Sequence, residues 1–294
     1  MRDFDLLQPK NLSDALDALA QNNSAIRPLA GGTDMLVDIR AKRAAPDVLV
    51  SLQNVSELRG ITRENGALKI GAATTIAEFL KHPELAKHDA LRQAAYVFAN
   101  PMIRNTATIG GNIGSASPAA DMLPPLLAFD AQIELVSQNE TRLMPLSEFF
   151  LAPRKTARHA NELVARIHLP IPGDASFVVR PSSSVASAFY KLGLRQADAI
   201  SIVSVAVWLQ RDGEKIRDVR IALGAVAPRP MRAIRAQEIL RGEIFNETNL
   251  KESARIASEE CSPIDDLRAR ANYRGRMIAV YVRRMLEQAW SKTQ

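Results

Sequence analysis

Between Thr108 and Pro124 the chain reads TIGGNIGSASPAADMLP, a run of glycine, alanine and serine that ends at two prolines. Small residues in series strip side chains from the backbone, so something else lies against main chain there. Gly110-Gly111 follow ATI, which reads as the end of a strand. Asn112 adds an amide that both donates and accepts, and Ser115 and Ser117 add hydroxyls. Pro118 halts the local structure, and Asp121 sets a carboxylate before an apolar helix, MLPPLLAFDA. Two readings fit: a phosphate cradle joined to a clamp on a polar ring, or a small-residue joint between two elements.

A second loop of this kind stands earlier, PLAGGTDML from Pro28 to Leu36. A strand ends, two glycines follow, then a hydroxyl and a carboxylate. Consecutive glycines let N–H groups converge on an anion. Thr33 adds a donor and Asp34 is placed to cap the next segment; a plain tight turn after a strand is the alternative. The dinucleotide fingerprint G-x-G-x-x-G, the phosphate loop G-x-x-x-x-G-K-[ST] and the nucleophile elbow G-x-S-x-G are all missing from the sequence. What remains is two Gly-Gly loops far apart in sequence, between which an extended ligand with two phosphates and two ring systems fits.

At 294 residues the chain is long enough for two domains. No apolar run reaches membrane-spanning length. MRDFDLLQPK lacks the basic-then-apolar layout of a secretory signal, so a cytoplasmic address is expected. The single cysteine, Cys261, excludes an internal disulfide and a cysteine-ligated cluster in this chain. The four histidines are scattered without zinc spacing; His82 and His88 read as surface residues, and no metal site is expected. The net charge of +6 raises nucleic-acid binding, but aromatic residues are only 5% and no recognition motif appears, so none is expected. Much of the excess is arginine near the C-terminus. There Met277, Ile278, Tyr281, Met285 and Leu286 recur at helical spacing, which predicts an amphipathic helix with a solvated basic face suited to docking an acidic protein.

Along the chain, SDALDALAQ from Ser13 reads as a capped helix, and IRPLA and VLVSL as short buried strands. Asn65-Gly66 predicts a hairpin, Thr75 and Glu78 a capping box, and the segment from about Asp89 to Ala99 a helix. AQIELVS and TRLMPL read as paired strands, and ELVARIHLP as another. Beyond the breaker at Pro170-Ile171-Pro172-Gly173, SAFYKLGLR, ISIVSVAVWLQ and KIRDVRIALGAV predict antiparallel strands; APRPMR breaks the pattern and helices follow. The expected architecture is α+β. An α/β domain over 1–173, with subdomains near 1–55 and 56–173, precedes a smaller α+β domain over 174–294 with an antiparallel sheet and helices.

LAGGTDML, NPMIRNTATIGGNIGSASPAADMLPPLLAFDA and FYKLGLRQADA, in this order and spacing, resemble the FAD-binding medium subunit of molybdenum hydroxylases of the carbon monoxide and xanthine dehydrogenase type. The likeness spans essentially the whole chain, including the tail RARANYRGRMIAVYVRRML. It implies a PCMH-like, two-subdomain FAD-binding domain. Pro28, Leu29, Ala30, Gly31, Gly32, Thr33, Asp34 and Met35 would wrap the FAD pyrophosphate, largely through main-chain N–H groups. Thr108, Gly110, Gly111 and Asn112 would hold the other side of the diphosphate and the ribityl region. Ser115 and Asp121 would lie near the flavin end or the adenosine ribose, and Val164 against the cofactor. Lys191 would stand near the flavin, with Phe189 two residues away on the same strand face. The resemblance also implies an oxidoreductase in which no residue of this chain is a catalytic acid or base. A large molybdopterin-binding subunit and a small [2Fe–2S] subunit are the implied partners, in a dimer of three-chain units. With Cys261 alone, the family variant bearing a further cluster here is excluded. A self-contained flavin oxidase and a non-catalytic nucleotide-binding module are the rival readings.

Overall fold

A computed structural model describes residues 3–20, 25–170 and 183–293. Ile171-Pro172-Gly173, and the domain boundary placed there, lie outside the described residues.

The first layer is a small parallel sheet of β1 (Asp5–Leu7), β2 (Ile26–Leu29) and β3 (Val48–Ser51), in the order β1-β3-β2. Parallel neighbours need crossovers, and α1 (Leu12–Leu19) and α2 (Met35–Arg40) supply them. The cap of α1 is Asn11 rather than Ser13. Asn11 has an extended backbone, and its Oδ1 accepts the Asp14 N–H at 2.8 Å. Leu16 and Leu19 turn inward as the helical period requires.

A five-stranded antiparallel sheet follows, built from β4 (Ile61–Glu64), β5 (Ala67–Gly71), β6 (Gln132–Val136), β7 (Thr141–Pro145) and β10 (Leu163–Pro170), in the order β4-β5-β10-β6-β7. Asn65 and Gly66 join β4 to β5 with φ of 49° and 76°, the paired positive values a two-residue hairpin needs. The capping box of Thr75 and Glu78 opens α3 (Ile76–Lys81). Between β5 and β6 also run α4 (Asp89–Val97), α5 (Pro101–Arg104), α6 (Ile109–Gly114) and α7 (Leu123–Ala128). After β7 come α8 (Leu146–Phe149) and a small hairpin of β8 (Phe150–Ala152) and β9 (Lys155–Thr156).

The third sheet is antiparallel, β11 (Ser183–Leu192), β12 (Val203–Asp212), β13 (Lys215–Gly224) and β14 (Met231–Arg232), followed by α9 (Ile234–Leu240), α10 (Glu247–Glu259) and α11 (Ala271–Ser291). APRPMR is thus not wholly a breaker, since its last two residues form β14 against β13. The apolar run of β12 is buried on both faces. Ala206 and Trp208 join the core that holds α4 and α7, while Val203, Val205, Val207 and Leu209 join the core under α11. The expected inward face of α11 is observed, with Ile278, Tyr281, Met285 and Leu286 buried and Tyr281 stacked on Tyr190 at 4.2 Å. One arginine departs from the solvated-face expectation: Arg274 is buried.

His88 also departs from its sequence reading. It is buried, with its ring 5.4 Å from Phe129, because Leu85, Ala90 and Leu91 around it face the same core. Burial lowers its pKa below the ordinary histidine value. The unfolded chain therefore binds the proton more readily, so stability falls as pH drops below about 6.5. His88→Phe is expected to flatten that limb of the unfolding free energy against pH; an unchanged limb would count against the assignment.

Candidate cofactor site

The two glycine loops meet. Gly31 approaches the backbone so closely that a Cβ there would stand 1.9 Å from Thr106 O. A Cβ on Gly110 would stand 2.5 Å from Ala72 Cβ, and one on Gly111 would come 2.9 Å from Thr108 Oγ1 and 3.9 Å from Ala30 Cβ. The joint reading of the small residues is therefore correct for Gly31, which meets the segment leading into the second loop, and for Gly110, which seats that loop against Ala72.

Their hydrogen-bonding capacities differ. Gly110-Gly111 do not follow a strand. Thr108 makes only a single bridge to Thr75, then caps α6, with its Oγ1 accepting the Gly111 N–H at 3.0 Å. Gly110 N–H donates to Ala72 O at 2.8 Å and Asn112 N–H to Thr108 O at 3.0 Å. The second loop has thus spent these amides internally. In the first loop, the N–H groups of Gly31, Gly32 and Thr33 have no acceptor among the described residues. On the second loop Asn112 Oδ1 is buried without a partner. An unpaired buried polar atom is costly, and half-buried amides without an acceptor are free to donate, so the two loops together fit a polar ligand.

Asp34 does not cap α2; its side chain makes no cap hydrogen bond and instead pairs with the Arg154 guanidinium. Arg154 holds φ of 61° in the turn between β8 and β9, and its N–H donates to Ala116 O at 3.0 Å. One residue thus ties the first loop to the end of the second. No local signal in the sequence marks it.

Further along, Ala120 and Asp121 turn into the core. Asp121 Oδ2 lies 2.5 Å from Lys191 Nζ, and the Ser201 hydroxyl donates to Oδ1 at 2.9 Å. Burial pushes the Asp121 carboxyl pKa up, and the Lys191 ammonium and Ser201 hydroxyl act against it. Lys191 Nζ also reaches Val97 O at 3.4 Å. Phe189 shares the strand face of Lys191, as the two-residue period requires, and sits in the core among Ala206 and Trp208. Val164 is buried at the bulge of β10; Ala72 N–H donates to Ala165 O at 2.9 Å, which sets β10 behind the second loop. Ser115 donates its hydroxyl to Asn112 O at 3.1 Å. Pro28 and Leu29 end β2, and Met35 starts α2. No cluster of metal-ligating side chains occurs among the described residues.

Comparison with known proteins gives this arrangement a family. Residues 2–172 match the model for the FAD binding domain in molybdopterin dehydrogenase, and residues 188–289 that for the CO dehydrogenase flavoprotein C-terminal domain. The chain belongs to this family of FAD-binding molybdopterin dehydrogenase flavoproteins. It is 32% identical to the xanthine dehydrogenase FAD-binding subunit of Escherichia coli O157:H7 over 280 residues, covering 95% of this chain and 93% of that one. It is 31% identical to the carbon monoxide dehydrogenase medium chain of Hydrogenophaga pseudoflava, covering 98% of each. Among solved structures, carbon monoxide dehydrogenase from Hydrogenophaga pseudoflava superposes with a TM-score of 0.93 at 30% identity, covering 100% of this chain and 99% of that one. Quinoline 2-oxidoreductase from Pseudomonas putida 86 superposes at 0.90 and 27% identity, covering 99% and 98%.

Proposed function

We propose that this chain is the FAD-carrying electron-transfer subunit of a heteromeric molybdenum hydroxylase. The observation that carries the reading is the set of open amides at Gly31, Gly32 and Thr33 on one loop and the unpaired Asn112 Oδ1 on the other, the two loop regions meeting at a glycine that admits no Cβ. When bound, FAD supplies reversible acceptance of electrons. The chain's own residues bind and orient it. Gly31, Gly32 and Thr33 donate N–H groups to the pyrophosphate, and Thr108, Gly110, Gly111, Asn112 and Ser115 shape the opposite wall. Val164 backs the cofactor, and Lys191 sets a charge at the ring end beside Asp121 and Phe189. Arg154 holds the two loops in register. No residue is needed as an acid or base toward substrate.

The partners are a large subunit carrying molybdopterin, where substrate is oxidised, and a small subunit whose [2Fe–2S] clusters deliver electrons here for an external acceptor. Two such three-chain units form the assembly. The division into 1–173 and 174–294 separates the cofactor loops from the sheet that brings Lys191 to them. Among the described residues no helix is long and apolar enough to cross a membrane, and the free Cys261 suits a reducing cytoplasm. Co-expression with the partner chains tests this. A stable complex containing all three chains and FAD is expected. A chain that purifies alone and oxidises a substrate of its own would contradict it.

A further inference from the structure

The Asp121–Lys191 pair is held from behind by residues set apart from the glycine loops. Ser201 is fully buried just ahead of β12, and its hydroxyl occupies Asp121 Oδ1. Arg274, 1% exposed on α11, pins the backbone on both sides of that contact: Nη1 donates to Ile202 O at 3.0 Å and to Ala225 O at 2.8 Å. Ala225 N–H in turn donates to Pro118 O at 2.7 Å, three residues before Asp121. Arg268 Nη1 donates to Ser201 O at 3.1 Å. Asp266 gathers both arginines, with Oδ1 2.6 Å from Arg274 Nη2 and Oδ2 2.5 Å from Arg268 Nη2.

An apolar side chain would fill the Arg274 position on α11 without the desolvation cost of a buried guanidinium. What the guanidinium fixes instead is the placement of Ser201 and Pro118, the two points where the C-terminal sheet grips the segment carrying Asp121. We propose that Ser201, with Arg274 and Asp266 behind it, is a positioning residue that fixes the charge balance of the Asp121–Lys191 pair and so sets the reduction potential of the flavin. The inference rests on the FAD reading above, with the ring end beside Lys191.

The physical reason is charge compensation. An ammonium with a carboxylate 2.5 Å away presents little net charge to a neighbour. Without the carboxylate, a full positive charge faces the ring site and favours the electron-rich form; without the ammonium, the carboxylate opposes it. The Ser201 hydroxyl favours the ionised carboxylate and holds its orientation. Its loss moves the pair part of the way toward the uncompensated ammonium.

The test is a spectroelectrochemical titration of the FAD-loaded chain at one pH. Asp121→Asn is expected to raise the reduced-to-oxidised ratio at a given potential roughly tenfold, a shift of about +30 mV for a two-electron couple. Lys191→Gln is expected to move it a similar distance the other way, and the double variant to return close to wild type. Ser201→Ala is expected to keep FAD and move part of the way toward Asp121→Asn, so it carries the test even if Asp121→Asn releases the cofactor. Shifts of the same sign for the two charge variants, or a Ser201→Ala potential equal to wild type, would overturn the proposal. A wild-type chain without FAD would remove this inference and the FAD reading together. A yellow wild type with unshifted variants would remove this one alone.

Discussion

Gly31→Ala is expected to cost the protein both its cofactor and a large share of its stability. The added Cβ would lie 1.9 Å from Thr106 O and 3.1 Å from Ala107 Cα, and both are backbone atoms with no side chain to swing aside. Overpacking a fitted position costs about 1–3 kcal/mol, and a backbone clash belongs at the top of that range or above it. At roughly 2–4 °C per kcal/mol for a chain of this size, the midpoint of thermal unfolding should fall by about 6–12 °C. The loops must part to admit the methyl group, so bound flavin in the purified variant should drop at least about tenfold, the equivalent of ~1.4 kcal/mol of binding. Gly114→Ala is the control for stability, since nothing lies within 4 Å of a Cβ there. It should melt within a degree or two of wild type, or above it, because alanine favours the helix by about 1 kcal/mol. A Gly31→Ala chain that is yellow and melts with wild type would show that the loops do not meet as described.

Arg274→Met is expected to be the most damaging single change in the C-terminal half. It leaves Ile202 O and Ala225 O without their donor and takes one of three donors from Asp266 Oδ1. Leaving a buried acceptor without its hydrogen bond costs about 1–3 kcal/mol, and this change strands two of them. Asp266 also links this cluster to pH. Against some desolvation, the Arg268 guanidinium and the N–H groups of Arg268 and Ala269 hold its carboxyl pKa far below the usual aspartate range. A depressed folded-state pKa means that its contribution is fully present above the unfolded value of about 3.9 and is lost as pH falls below it. Denaturant unfolding from about pH 6 down to 3 should therefore show a steep acid limb in wild type and a shallower one in Asp266→Asn. Parallel limbs would remove Asp266 from the account of acid stability.

Features that depend on neighbours in sequence were legible there. The Asn65-Gly66 hairpin, the Thr75–Glu78 capping box, the strand β12 and the inward stripe of α11 each follow from local turn chemistry or periodicity. ATI before Gly110 was misleading because three apolar residues do not distinguish a strand end from the bridge-and-cap that Thr108 makes. His88 read as a surface residue because the aromatic ring that covers it, Phe129, lies far along the chain. The glycine loops announced close backbone approach, but not which loop keeps its amides open. That depends on Ala72 and Thr108 as acceptors, which only the folded backbone brings into place. Arg154 is 120 positions from Asp34, and Ser201 is 80 from Asp121. Such pairings belong to the tertiary fold, and no spacing rule reaches them.

The most direct test of the central claim is the absorption spectrum of the purified chain, followed by heat release and chromatographic identification of what it carried. Flavin bands, and FAD as the released compound, are the expected result. A folded, colourless chain that also fails to take up added FAD would contradict it.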